Sequence, residues 1–209
     1  MERLIESIDS DTRMIVKDII RIIKNGDEGS WELPSDISDE EYYPYDMTVF
    51  FDWNFNWKEG NQKYFVDGDY DDETESMQVV VFLNKDFYPE LMYDLVADLN
   101  DIIAHEYEHH KQYLGLRPDS EVKTKGKQPK DYKYYLQSHE IPAVLQGFRR
   151  VMKLRKTGIE SVIDGWLQRN ISNQDMSEKD QKKLRSELIK QYELRYGKKW
   201  IGKIVTDWT

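Results

Sequence analysis

The feature that most restricts the fold is where the hydrophobic period changes along the chain. Residues 2–25 place Leu4, Ile8, Ile15, Ile19, Ile20, Ile22 and Ile23 close to a helical spacing, and Gly26 follows as a stop signal. Residues 27–46 are acidic and carry Pro34 and Pro44, which predicts an irregular connection. Met47–Trp57 alternates and is rich in aromatic and β-branched residues, so it predicts a strand. Glu59-Gly60-Asn61 reads as its turn, and Lys63–Val66 begins a return strand. Asp67–Glu75 reads as an acidic hairpin loop, and Met77–Leu83 as the most hydrophobic strand. From Pro89 to about Leu114 the period is helical again, and Gly115 and Pro118 end it. Further helices are expected over about 136–156, 159–169 and 177–195. Strand period is thus confined to one block between helices. The expected class is α+β: an N-terminal helix, an antiparallel β-meander, then helices only.

The 209 residues include no cysteine, which excludes disulfides, cysteine nucleophiles and thiolate metal sites. Any metal would need histidine and carboxylate ligands. No apolar run approaches the ~18 residues of a membrane span, and the first residues lack an apolar signal core. The expectation is a cytoplasmic protein without a membrane partner. Charge is uneven. Residues 1–104 hold 26 acids against 8 bases, a balance of −18, and residues 105–209 hold 14 against 22, a balance of +8. The acidic half repels phosphate and argues against nucleic acid; two mutually attracting halves of one molecule explain the asymmetry more simply.

All four histidines lie between positions 105 and 139. His105-Glu106-Tyr107-Glu108-His109 fits the pattern H-E-x-x-H inside the strongest helical segment. Residues i and i+4 stack on one helix face, so two imidazoles can grip one Zn²⁺ at about 2.0–2.1 Å. Glu106, about 100° further round, reaches a water beside the ion instead and fits the role of general base. His110 points away from His109 toward the apolar face with Leu99, Ile103 and Leu114. Asp94, Asp98 and Asp101 share the face of His105 and are candidates to steady a ligand imidazole. A catalytic zinc needs a third protein ligand. The run after His109, HKQYLGLRPDS, has no histidine at the place a nearby third ligand would take. Ser138-His139-Glu140-Ile141-Pro142-Ala143 supplies the alternatives. Glu140 shares a face with the small Ala143 and Gly147 and is favoured, with His139 as rival. Asp67, Asp69 and Asp71 alternate as in a calcium loop but lack its glycine and terminal glutamate.

HEYEH followed some thirty residues later by SHEIPA resembles the compact gluzincins, zinc metallopeptidases with a two-His, one-Glu site. YYLQSHEIPAVLQGF is similar in particular to short zincin-like proteins of tailed phages and some bacteria. The resemblance is sharp over about 100–150, loose over 47–84 and absent at both ends. It implies a metallopeptidase domain over 1–156 with a helical extension, 157–209, packed on it. It implies His105, His109 and Glu140 as zinc ligands, Glu106 as base, a peptide or protein substrate, and Met77–Leu83 as the edge strand that takes an extended peptide. The oxyanion-stabilising residue is not assigned by motif. Tyr132, Tyr134 and Tyr135 precede Glu140, and Tyr135 is the choice among them. The lysines at 123, 125, 127, 130 and 133 form a basic loop, and Arg149, Arg150, Lys153, Arg155 and Lys156 a solvated helix face. The competing expectation is a non-catalytic structural or interaction protein of a phage, with a structural or vestigial zinc.

Overall fold

The computed structural model describes residues 2–26, 28–33, 46–53, 63–88, 90–116, 132–171 and 176–197. Helix α1 (Glu2–Asn25) is followed by strands β1 (Gly29–Leu33), β2 (Asp46–Asp52), β3 (Tyr64–Asp71) and β4 (Ser76–Leu83), then by helices α2 (Met92–Tyr113), α3 (Glu140–Arg155), α4 (Ile159–Ile171) and α5 (Glu178–Tyr196). The α+β class and the order helix, strands, helices hold. The chain divides into two compact units, Met1–His110 and Lys111–Thr209.

In the first unit the strands form one sheet in the order β1-β2-β4-β3. β1 pairs antiparallel with β2, and β3 with β4, but β2 and β4 run parallel, with Val49 beside Val79 and Phe51 beside Val81. The expected antiparallel meander is therefore corrected to a mixed sheet. The reason lies in β4, SMQVVVFL, the most apolar strand. It takes an interior place between two neighbours, where apolar strands belong, and pushes the polar YFVDGDYD of β3 to the margin. β4 is consequently not an edge strand, and the edge role expected of Met77–Leu83 is overturned. β1 is an addition in a stretch expected to be irregular. Trp31 and Leu33 face inward there beside Val49 and Met47. The turn at Glu59–Asn61 lies outside the described residues.

One sheet face carries Met47, Val49, Phe51, Met77, Val79, Val81 and Leu83, all buried against Ile15, Ile19, Ile22 and Ile23 of α1 and Leu95, Leu99 and Ile103 of α2. Truncating one of the leucines, isoleucines, methionines or Phe51 to alanine costs about 2–5 kcal/mol. Gly26 ends α1 at φ +79°, with its N–H on the carbonyls of Ile22 and Ile23. That left-handed turn is what glycine supplies cheaply. Trp53 donates from its indole to the Gly26 carbonyl at 3.1 Å.

In the second unit α3, α4 and α5 share a core built on Leu145, Phe148, Ile159, Ile163, Leu184, Leu188 and Tyr192. Arg185 of α5 binds Asp164 at 2.6 Å and Glu160 at 2.9 Å, both on α4. Ser177 caps α5 by accepting from the Asp180 N–H at 3.2 Å. No helix of the described residues is long and apolar enough to cross a membrane.

Candidate metal centre

Helix α2 carries the motif in its last turns. Leu95, Leu99 and Ile103 bury one stripe completely. In the two turns after Ile103, Ala104, Glu106, Tyr107, Glu108, His110, Lys111 and Gln112 are all buried, while His105 and His109 stay partly open. The His105 side chain keeps 21% of its surface in solvent, so the imidazole pair is not sealed. The two rings meet nearly edge to face, with their Nε2 atoms 3.0 Å apart. Two ligands of a tetrahedral Zn²⁺ stand about 3.3 Å apart, given metal–nitrogen bonds of about 2.0–2.1 Å. The pair is thus close to the spacing that one ion imposes.

Glu140 opens α3. The Glu140 and Ile141 N–H groups both reach the Gln137 carbonyl, at 3.1 and 3.0 Å, closing the first turn. Pro142 sits inside that turn, where a missing N–H costs nothing. The Gln112 amide of α2 donates to the His139 carbonyl at 2.7 Å in a buried bond, which fixes the start of α3 to the last turn of the motif helix. Glu140 is 2% exposed, and its Oε1 lies 3.3 Å from His139 Nε2. His105, His109 and Glu140 each offer a ligand atom within 4.8 Å of the other two, and among the described residues they are the one such group. The third ligand expected from the sequence, Glu140, is a member of this group. The rival His139 lies against the Glu140 carboxylate. Two imidazole nitrogens and one carboxylate oxygen form a donor set that suits Zn²⁺, so these residues can hold a divalent metal ion.

Strand β3 flanks this helix. Tyr64 Oη donates to Asp98 at 2.6 Å, and Tyr70 Oη lies 2.9 Å from His110 Nδ1. Between them, a Cβ added to Gly68 would collide with Ile102 Cγ2 and fall 3.4 Å from Glu106 Cγ. Six strand steps from Tyr64 to Tyr70 cover about 20 Å and twelve helix steps from Asp98 to His110 about 18 Å, so the two elements run side by side in one direction. Glycine at 68 lets the β3 backbone reach Glu106. The sequence reasoning passed over Gly68; its signal is a lone glycine inside a strand pattern, which marks a close approach of backbone. Glu106 Oε1 is 3.9 Å from His105 Nε2.

Other candidates have different settings. His110 is buried, stacked on Tyr107, whose hydroxyl donates to Asp11 at 3.0 Å, so it belongs to the core side as expected. Leu114 does not share that face: α2 ends at Tyr113 and Leu114 is exposed. Asp98 holds Tyr64. Tyr135 packs edge-on against Trp166 and Tyr134, and Tyr132 lies under the Lys183 ammonium at 5.7 Å. Asp67, Asp69 and Asp71 lie along β3 rather than in a loop; the turn itself is Asp72–Glu75. Burial, and secondarily Asp69, pushes the Asp67 carboxyl up, although its bond from the Gly68 N–H opposes this. The Thr74 side chain and the Glu73 N–H hold Asp71 below the usual carboxylate range. Lys133 is exposed, and the rest of the lysine run lies outside the described residues. Arg149 places its guanidinium 5.0 Å from the centre of the Tyr196 ring. No family model, curated protein or solved structure matches this chain.

Proposed function

We propose that the chain is a zinc-dependent metallopeptidase. The observation that carries this reading is the convergence of His105, His109 and Glu140 within 4.8 Å, with Glu106 the residue after the first ligand. When bound, zinc supplies positive charge that polarises a carbonyl and acidifies a water. Glu106, largely buried beside His105, would accept a proton from the attacking water and return it to the leaving amine. A structural zinc is closed by four side chains, whereas a catalytic one keeps three and an opening. Three members among the described residues and the partly exposed imidazoles support the catalytic case.

Support for a peptide substrate comes from β3. Among the described residues it has a strand neighbour on one side only, and Gly68 brings it to Glu106. An extended peptide adds to such a margin through backbone hydrogen bonds. β3 thus replaces Met77–Leu83 as the strand for this role. The test is zinc stoichiometry on the parent, His105→Ala and Glu140→Ala proteins, followed by hydrolysis of a peptide library. One zinc per parent chain and substantial loss in both variants is expected. A full complement in Glu140→Ala overturns the ligand set, and a zinc-loaded parent that cleaves nothing leaves the non-catalytic protein as the better account.

A further inference from the structure

The sheet has a second face, turned away from its core. We propose that this outer face docks a cationic segment bearing aromatic or branched aliphatic anchors. Register places its residues in rows across the strands. Ser30, Phe50, Val80 and Asp67 form one row, and Asp52, Phe82 and Phe65 the next. The apolar members adjoin: Phe50 and Val80 are partners, and the Phe65 and Phe82 rings stack at 6.1 Å. Phe50 is 38% exposed. A groove of about 560 Å³ lies here, lined by Gly29, Ser30, Phe50, Asp52, Val80 and Phe82 among others.

Charge specifies the partner. The four strands hold Glu32, Asp46, Asp52, Asp67, Asp69 and Asp71 and no lysine, arginine or histidine, so the acids outnumber the exposed Lys63 that directly precedes β3. Glu28 adds an acid to the groove. An apolar centre inside an acidic border attracts lysine- or arginine-rich chain and repels phosphate and acidic protein. The aromatic centre supplies the desolvated anchor that charge alone does not. This surface stands apart from the candidate metal centre, because α2 meets β3 through the inward residues Tyr64, Gly68 and Tyr70.

The test measures fluorescence anisotropy of the full-length protein with a labelled synthetic peptide alternating lysine with leucine and tryptophan. Controls are oligolysine and the same peptide with glutamate for lysine. The lysine–leucine–tryptophan peptide should bind, and both controls should bind at least about tenfold more weakly. Phe50→Ser and the double variant Asp52→Lys/Asp67→Lys should each weaken binding by a similar factor with unchanged circular dichroism. Amide exchange should slow around Phe50 and Val80 when peptide is added. Equal binding of oligolysine, parent-like binding by both surface variants, or protection elsewhere overturns the proposal. So does self-association abolished by Phe50→Ser, which would make the occupant a second copy.

Discussion

On the proposed reading, a single oxygen-to-nitrogen change at Glu106 separates metal binding from chemistry. Glu106→Gln keeps the shape beside His105 and removes the proton acceptor. Zinc content should stay at the parent value while hydrolysis of a responsive peptide falls by at least about 10²-fold, within the range general-base groups contribute; parent-like turnover would sink the assigned role. Glu75 shows a local strain of another kind. It sits at φ +54° in the turn between β3 and β4, where a side chain costs about 1 kcal/mol. Glu75→Gly should raise the urea midpoint by an amount corresponding to up to about 1 kcal/mol, and an unchanged or lower midpoint would refute that strain. The candidate ligands His105 and His109 were legible from the sequence because spacing on a helix is itself geometry: about four residues make one turn, so the two side chains stack. Glu140 was legible only as a face beside small residues. The Gln112–His139 bond that seats it joins residues 27 apart and leaves no periodic trace.

The elements themselves were easier to read than their pairing. The helices at 2–25 and near 89–114, 159–169 and 177–195 announced themselves by period and stop residues, and β4 by its apolar run. β1 escaped because five residues, GSWEL, are too short to display alternation, and its place depends on β2. The parallel match of β2 with β4 escaped because chain order cannot reveal which non-adjacent strands meet. The same pairing decides which strand is marginal, and so moved the expected peptide strand from β4 to β3. Gly68 is where that arrangement is most exposed to mutation. Gly68→Val places branched carbons into Ile102 and beside Glu106, so β3 must shift away from α2. The expected result is a destabilisation of about 1–3 kcal/mol, as for overpacked cores, with activity lost beyond what the unfolded fraction explains. Urea titration and turnover of the folded fraction check this; wild-type values for both would show that the close approach is dispensable.

Across the molecule, each unit has its own core, and each core has its own sensitivity. In the second unit burial pushes the Tyr192 phenol up to about 12 from an ordinary 10. The folded chain keeps that proton when the unfolded chain has released it. Its share of stability is therefore constant below pH 10 and declines as pH rises from 10 through about 12, by at most about 3 kcal/mol. Tyr192→Phe should unfold less steeply than the parent between those values, by helical circular dichroism, and match it near neutrality; identical alkaline profiles would contradict the burial argument. In the first unit the sheet implies a sequence of assembly. β3 and β4 are joined by a four-residue turn and can zip locally, in microseconds for an isolated hairpin. β2 must then find β4 with an entire strand intervening, a closure whose entropy is lost before any contact repays it. The slow step of refolding should be the arrival of β2, and until it lands one flank of the hairpin offers unsatisfied amides to any other extended chain.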